Sequence, residues 1–262
     1  MERKITIARL EAALNDYIGS SLSLRELAQK HNISRPTLAG FLLGRGVDIY
    51  TRKSRVNTFA FDCIDTEEKA YWLGFLYADG SVSHYKSSKR VELGLKESDY
   101  EHLQKFSKFL SYRGEIHYRP ETKSYRVYFG CQKIHDDLVR LGCVEKKSLV
   151  LVFPNSEQVP QHLLPHFIRG YFEGDGSIEV VHNVRGTIRK TVSLLGTKEF
   201  LSALLANLPF KVNSINIIKK CKNNDSNNYY FQLRKSDSEL FLNYIYSNAT
   251  VFLDRKHELY LL

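Results

Sequence analysis

Apolar positions recur at helical spacing through residues 1–50, and polar residues punctuate them into short helices. Ile7, Leu10, Leu14, Tyr17 and Ile18 line one face of a first helix, which Gly19-Ser20-Ser21 ends. A second begins at Ser23, whose hydroxyl caps it while Glu26 reaches back, an S-x-x-E capping box; Leu24, Leu27 and Ala28 carry it to His31. After a turn at Asn32-Ile33, Ser34 caps a third helix with Pro36 in its first turn, where the missing N–H costs little. Leu38, Phe41 and Leu42 form its apolar face, and Gly44-Arg45-Gly46 stops it. Short helix, tight turn, short helix is a helix-turn-helix layout, with Ala28 and Ile33 where such motifs keep a small and an apolar residue.

From residue 66 onward the period switches between that of helices and that of strands, and the whole succession occurs twice. An apolar run ending at Asp79-Gly80 is followed by alternating segments at 81–85 and 90–96. A helix with the stripe Tyr100, Leu103, Phe106 and Phe109 comes next, then strands at 114–119 and 124–130 and a helix near 133–141. The second apolar run ends at Asp175-Gly176 and leads to strands at 177–182 and 187–195, a helix at 198–207, strands at 214–220 and 229–234, and a helix at 237–246. The fold class is therefore α+β. Tandem α-β-β-α-β-β-α repeats, related by a pseudo-twofold axis between the two apolar runs, follow a small all-α helix-turn-helix domain. Pro154, Pro160 and Pro165 mark the join, which divides the chain into 1–50, a basic linker at 51–65, a first half at 66–153 and a second at 154–262.

Alternation also assigns the faces of the sheets. Arg189, Thr191 and Ser193 share one face while Val192 and Leu194 point the other way; Arg90, Glu92, Arg126 and Tyr128 behave likewise against Val91, Leu93, Val127 and Phe129.

The two apolar runs are one short sentence written twice: Trp72-Leu73-Gly74-Phe75-Leu76-Tyr77-Ala78-Asp79-Gly80-Ser81 and Ile168-Arg169-Gly170-Tyr171-Phe172-Glu173-Gly174-Asp175-Gly176-Ser177. Alone, an apolar helix entering an Asp-Gly turn is ordinary core structure. Here Gly74 and Ala78 sit four apart, as do Gly170 and Gly174, so each helix has a bare face on which another backbone can lie very close. Packed in parallel, the helices bring Asp79 and Asp175 together at one end. A carboxylate is disfavoured at a helix C-terminus and again beside a second carboxylate. A divalent cation removes both objections, and shared acidic ligands around hard cations are the apparatus of metal-assisted phosphodiester hydrolysis.

Charge and cysteine usage narrow the setting. A net charge of +9 favours a polyanionic partner, most simply nucleic acid. Four cysteines without a Cys-x-x-Cys pair suggest neither a zinc site nor a disulfide framework, and no run approaches membrane-spanning length. A reduced interior is expected, cytoplasmic or an organellar matrix or nucleoid, with no membrane partner.

With glycine, small residue and Asp-Gly-Ser kept in order both times, residues 66 to 262 resemble the LAGLIDADG homing endonucleases, in the form that carries two motifs on one polypeptide. The resemblance implies a monomer with the homing endonuclease fold and no small-molecule substrate. It also implies Mg2+, or another divalent cation such as Mn2+, held by Asp79 and Asp175; which backbone oxygen near Ala78 joins them stays open. The expected activity is staggered double-strand cleavage of a long, asymmetric DNA site, serving the mobility of the chain's own reading frame. Basic residues near the metals carry over to Lys147, with Lys146 a rival, and to Lys256; Lys96 and Thr197 match the polar positions at strand ends that face the motifs. The sixth motif position, Tyr77 and Glu173, varies in the family and points away from the metals. Double-stranded DNA would be read by Arg90, Arg126, Tyr128, Arg189, Thr191 and Ser193 on the sheets, by Arg35, Thr37 and Arg45 in the helical domain, and along the linker by Arg52, Lys53 and Arg55. A splicing maturase on the same fold, or a DNA-binding regulator with a decayed nuclease, would use the same scaffold without cutting DNA.

Overall fold

The computed structural model describes residues 7–19, 24–47, 56–85, 88–147, 150–182, 188–213, 218–220 and 227–262. The chain forms two compact units, Met1–Asn57 and Thr58–Leu262. Ser20, Ser21, Ser23, Arg52, Lys53 and Arg55 lie outside the described residues.

The first unit holds three helices, α1 (Ile7–Gly19), α2 (Leu24–Lys30) and α3 (Arg35–Gly44). Ala13, Tyr17, Leu27, Leu38 and Leu42 are its core, and Ile7, placed by periodicity on the apolar face, is instead exposed because it begins α1 beyond the packed turns. Asn32 turns the chain at φ 48°, and Ser34 accepts the Thr37 N–H at 3.2 Å, so α3 starts where its cap and Pro36 put it.

In the second unit, α4 (Glu67–Ala78) leads to strands β1 (Gly80–Tyr85) and β2 (Ser88–Lys96), helix α5 (Tyr100–Phe109), strands β3 (His117–Arg119) and β4 (Ser124–Gly130), and α6 (Gln132–Arg140). The succession repeats as α7 (Leu164–Asp175), β5 (Gly176–His182), β6 (Ile188–Gly196), α8 (Lys198–Ala206), β7 (Lys219–Lys220), β8 (Tyr229–Arg234) and α9 (Ser236–Tyr246), with α10 (Asp254–Leu261) after it. Each half is a four-stranded antiparallel sheet of the same order, β1-β2-β4-β3 and β5-β6-β8-β7. Val91, Leu93 and Val127 in one, and Val192, Leu194 and Phe231 in the other, are fully buried, so each sheet turns one face to the core.

Helices α4 and α7 are buried along nearly their whole length, which is why α4 is apolar on every side through its centre and why the two charged residues inside α7, Arg169 and Glu173, are both hydrogen-bonded. They lie in parallel. A Cβ added at Gly74 would stand 2.0 Å from the Phe167 carbonyl oxygen, one at Gly170 would stand 2.0 Å from that of Tyr71, and one at Gly174 would meet the Ala78 methyl at 2.3 Å. Only glycine permits this approach, and the two backbones are in contact over two turns.

Four expectations are corrected. Strand β3 begins at His117 and not at 114, because Tyr112 donates its hydroxyl to the Tyr128 carbonyl at 3.1 Å and so occupies the ladder position opposite residue 115. Of the strand expected at 214–220, only Lys219–Lys220 pairs with β8, and 214–217 lie outside the described residues. The linker does not reach 65: Phe61 is fully buried with its ring edge-on to Phe109, Lys69 binds Asp62 at 3.0 Å and Asp65 at 3.1 Å, and Arg140 donates to the Asp62 carbonyl at 2.7 Å. The fourth is an omission, since the sequence pattern assigned no element to 254–261, which form a helix. None of the helices described is long and apolar enough to cross a membrane.

The glycine contact sets a stability test. Gly170→Leu drives a side chain into backbone, which cannot retreat as a flexible side chain would, so the loss should exceed the roughly 1–3 kcal/mol usual for overpacking. Thermal melting should show a Tm far below wild type, or no cooperative transition; an unchanged Tm would mean the helices do not touch there.

Candidate active site

Asp79 caps the C-terminus of α4 and Asp175 is the last residue of α7, so the parallel packing delivers both carboxylates to one end. The Asp79 carboxylate lies across the partner helix: a Cβ at Gly174 would be 3.3 Å from Asp79 Oδ2. Burial, then the charge of Asp79, pushes the Asp175 carboxyl up to about 6; Asp79, more open to solvent, is raised by desolvation, against the pull of Lys256 and Lys147. Two carboxylates at the negative ends of two helices lack sufficient counter-charge.

Lys147 and Lys256 approach the pair in matching ways. Lys147 Nζ donates to the Gly80 carbonyl and Lys256 Nζ to the Gly176 carbonyl, each the peptide oxygen just past the aspartate of its own half. Lys256 also caps α7 through the carbonyls of Phe172 at 2.9 Å and Glu173 at 2.7 Å. It is buried on the first turn of α10, a helix that the sequence pattern did not mark, and burial, then Arg255 beside it, lowers its ammonium to about 8. Lys146 is exposed, with φ 52°. Tyr171, Asp175, Lys147, Thr197 and Asn228 line a cavity of about 440 Å³ next to the pair.

Among the described residues no group of three or more His, Cys, Asp and Glu side chains converges. The donor set nevertheless fits a hard cation of the Mg2+ kind, which binds through one or two carboxylates and completes its shell with water and substrate phosphates. The raised carboxyls are the observation that favours it.

The sixth motif positions do point away from the aspartates, into the core. Glu173 accepts hydrogen bonds from Tyr71 at 2.5 Å, Tyr246 at 2.7 Å and the Leu253 N–H at 2.8 Å, and burial pushes its carboxyl up to about 7. Tyr77 donates to the Leu141 carbonyl. Neither network was visible from spacing, because every partner is distant in sequence.

The two polar positions at strand ends are not equivalent. Thr197 gives its hydroxyl to the Leu151 carbonyl at 2.6 Å and accepts the Phe200 N–H at 3.1 Å, so that group caps α8 while the residue lines the cavity beside Asp175. Lys96 is exposed at the end of β2, where the core register belongs to Leu95. Asp99, missed by the sequence reading, stands at the N-cap position of α5 as Thr197 does for α8, but its side chain makes no capping bond and instead binds Arg255 through both oxygens, at 2.9 and 3.1 Å.

The solvent faces of the sheets carry the expected side chains. The Arg90 and Arg126 guanidinium groups lie 5.5 and 4.7 Å from the Tyr128 ring centroid, and the His117 ring packs on Tyr128 with centroids 4.9 Å apart. Glu92, at 3.6 Å, partly neutralises Arg126. Register places Arg189, Thr191 and Ser193 on the equivalent face of the second sheet, opposite Arg234 and Gln232. In the first unit Arg35 and Thr37 are exposed at the start of α3, Thr37 within 2.7 Å of the Ser34 hydroxyl. Arg45 is engaged within the unit, paired with Glu11 and lying over the Phe41 ring.

Residues 7–46 match the family model of the helix-turn-helix Psq domain. No curated protein matches the chain in sequence. Among solved structures, a double mutant of I-SmaMI matches with a TM-score of 0.50 at 10% identity, over 72% of this chain and 87% of that one. The I-LtrWI LAGLIDADG homing endonuclease bound to target DNA matches with a TM-score of 0.49 at 11% identity, over 78% and 90%. The architecture of the second unit is thus the fold of the LAGLIDADG homing endonucleases, and the first unit is a helix-turn-helix domain of the Psq kind.

Raised carboxyls make the cation-free protein less stable as pH rises. A folded Asp175 that binds its proton up to about 6, against 3.8 normally, contributes stability that is complete below about pH 4 and lost through about pH 6. Asp175→Asn should therefore melt above wild type at pH 7 without divalent cations, by about 2 kcal/mol after allowing for partial exposure, and the gap should close near pH 4. A mutant less stable than wild type at pH 7 would show that the lysines already compensate the charge.

Proposed function

We propose that the chain is a site-specific DNA endonuclease that cuts both strands of a long, non-palindromic site in a reaction requiring Mg2+. One observation carries the reading: two motif helices in backbone contact hold Asp79 and Asp175 at one end, each beside a peptide carbonyl gripped by a lysine. Asp79 and Asp175 would hold the cation, which when bound supplies a Lewis acid for the phosphodiester and a water acidic enough to attack near neutral pH. Lys147 and Lys256 are fixed by their carbonyl bonds where they can counter negative charge developing on a phosphate, one in each half.

DNA is the substrate that the rest of the surface suits. Arg90, Arg126 and Tyr128 on one sheet, and Arg189, Thr191 and Ser193 on the other, have the hydrogen-bonding groups that read base edges in a major groove. Because the two faces differ in sequence, the two half-sites should differ. The first unit adds a second reading element through Arg35 and Thr37 at the start of α3, the position from which a recognition helix meets bases. A net charge of +9 favours encounter with the phosphate backbone.

Asp79→Asn and Asp175→Asn should each abolish double-strand cleavage in Mg2+ while changing the Kd for target DNA less than about threefold, since neither residue lies on a reading face. The substrate is DNA from the gene's flanks joined without the insertion, and sequencing the ends gives site and overhang. Normal cutting by either mutant would exclude the aspartates from the reaction. Binding of DNA without cutting by wild type would indicate a regulator, and binding of intron RNA alone a maturase.

Removal of residues 1–57 should shorten the footprint and weaken target binding by about tenfold or more, while some cleavage persists. A truncated protein with wild-type affinity and footprint would deny the first unit a reading role.

A further inference from the structure

The sixth residue of each motif has no part in the chemistry just described, yet in both halves it is tied to the segment that delivers that half's lysine. Tyr77 is fully buried and donates its hydroxyl to the carbonyl of Leu141, the C-cap of α6, six residues before Lys147. The fit there is tight. Gly142 sits at φ +97°, and a Cβ on it would be 2.0 Å from the Tyr77 hydroxyl. Cys143 adds a second hold through its thiol, which donates to the Leu76 carbonyl at 3.6 Å.

Glu173 does the same by a different bond. Its Oε2 accepts the N–H of Leu253 at 2.8 Å, and Leu253 is the N-cap of α10, three residues before Lys256. A carboxylate at a helix N-terminus meets N–H groups that have no partner within the helix. Each lysine is then held at two points: the segment leading into it by the sixth motif residue, through Leu141 or Leu253, and its ammonium by the carbonyl of the ninth, Gly80 or Gly176. A tyrosine hydroxyl grips a carbonyl at the end of one helix, and a glutamate grips an N–H at the start of another. Chemically unlike residues thus perform one task, which accounts for a motif position where composition differs while burial does not.

Building on the nuclease reading, we infer that Tyr77 and Glu173 are positioning residues, each setting the lysine of its own half and hence the cleavage of one strand. Their side chains do not reach the reacting atoms. The test uses full-length protein with Tyr77→Phe, which removes the bond to Leu141, and Glu173→Gln, which keeps shape but takes away the charge that holds the Leu253 N–H and one of the two acceptor oxygens. Tyr246→Phe is the control, because Tyr246 bonds the other oxygen of Glu173. Single-turnover cleavage of each strand is followed on end-labelled target, with DNA affinity, Tm and hydrogen exchange measured on the same samples.

Tyr77→Phe should slow one strand by about 10- to 100-fold and Glu173→Gln the other, so that nicked DNA accumulates, with the Kd for DNA unchanged. Hydrogen exchange should quicken at 141–147 in the first variant and at 253–261 in the second, not the reverse. Tyr246→Phe should leave both strands near wild-type rate. Equal slowing of both strands in either variant would reduce the residue to general structural support and overturn the inference, as would unchanged rates. If Glu173→Gln fails to fold, Tyr77→Phe decides alone. Wild-type protein that leaves DNA uncut would defeat the nuclease reading and this inference with it, whereas wild type that cuts while both variants cut normally defeats the inference only.

Discussion

Everything in the second unit is hung on a contact between two peptide backbones. Where Gly74 meets Phe167 and Gly170 meets Tyr71, no side chain intervenes, and the helices are as near as helices can be. That nearness puts two carboxylates at one pole of the molecule and forces a choice on the surrounding residues. Placed at helix C-termini, the aspartates face carbonyl oxygens that want cations. Lys256 answers three of those carbonyls and Lys147 one. The lysines are therefore structural caps first, and their availability to a phosphate follows from that structural position.

Around this pole the halves are similar in plan and unlike in chemistry. One lysine is buried on a helix while the other is half-buried on a loop, and one sixth-position residue is a phenol while the other is a carboxyl. Arg169, fully buried, has no equivalent in the first motif and ties the halves together: it binds Glu67 of α4 at 2.7 Å and the carbonyls of Ile245 and Val251 at 2.7 and 2.9 Å. That network joins the start of α4 to the segment leading into α10.

What was legible in the sequence is what local pattern determines. Paired small residues four apart specified the parallel helices, and strict alternation put Arg90, Arg126 and Tyr128 on one face. Capping chemistry at Ser34 fixed the start of α3. What escaped depends on partners far along the chain. Helix α10 has a charged, weakly apolar sequence, and it is held by the Glu173 carboxylate at its first turn and by Arg255 on Asp99. Thr197 was placed facing the motifs and Arg45 on DNA, and in the fold the hydroxyl of one meets the Leu151 carbonyl and the guanidinium of the other pairs with Glu11. A polar side chain at a plausible position says nothing of whether a neighbour has already claimed it.

The two halves also complete each other at their edges. Leu151 takes the hydroxyl that caps α8, and Phe153 packs against Phe167 and Phe200 of the second half; in return Arg255 grips the cap of α5, and Asp254 binds Lys105 at 2.8 Å. Each repeat thus ends in a strap fastened to its neighbour. A half moved by recombination into a foreign context would carry a strap cut for the wrong partner and leave its own helix cap unfilled. The inherited unit is therefore the pair, and viable chimeras should have crossovers that keep residues 150–153 with α8 and residues 250–256 with α5.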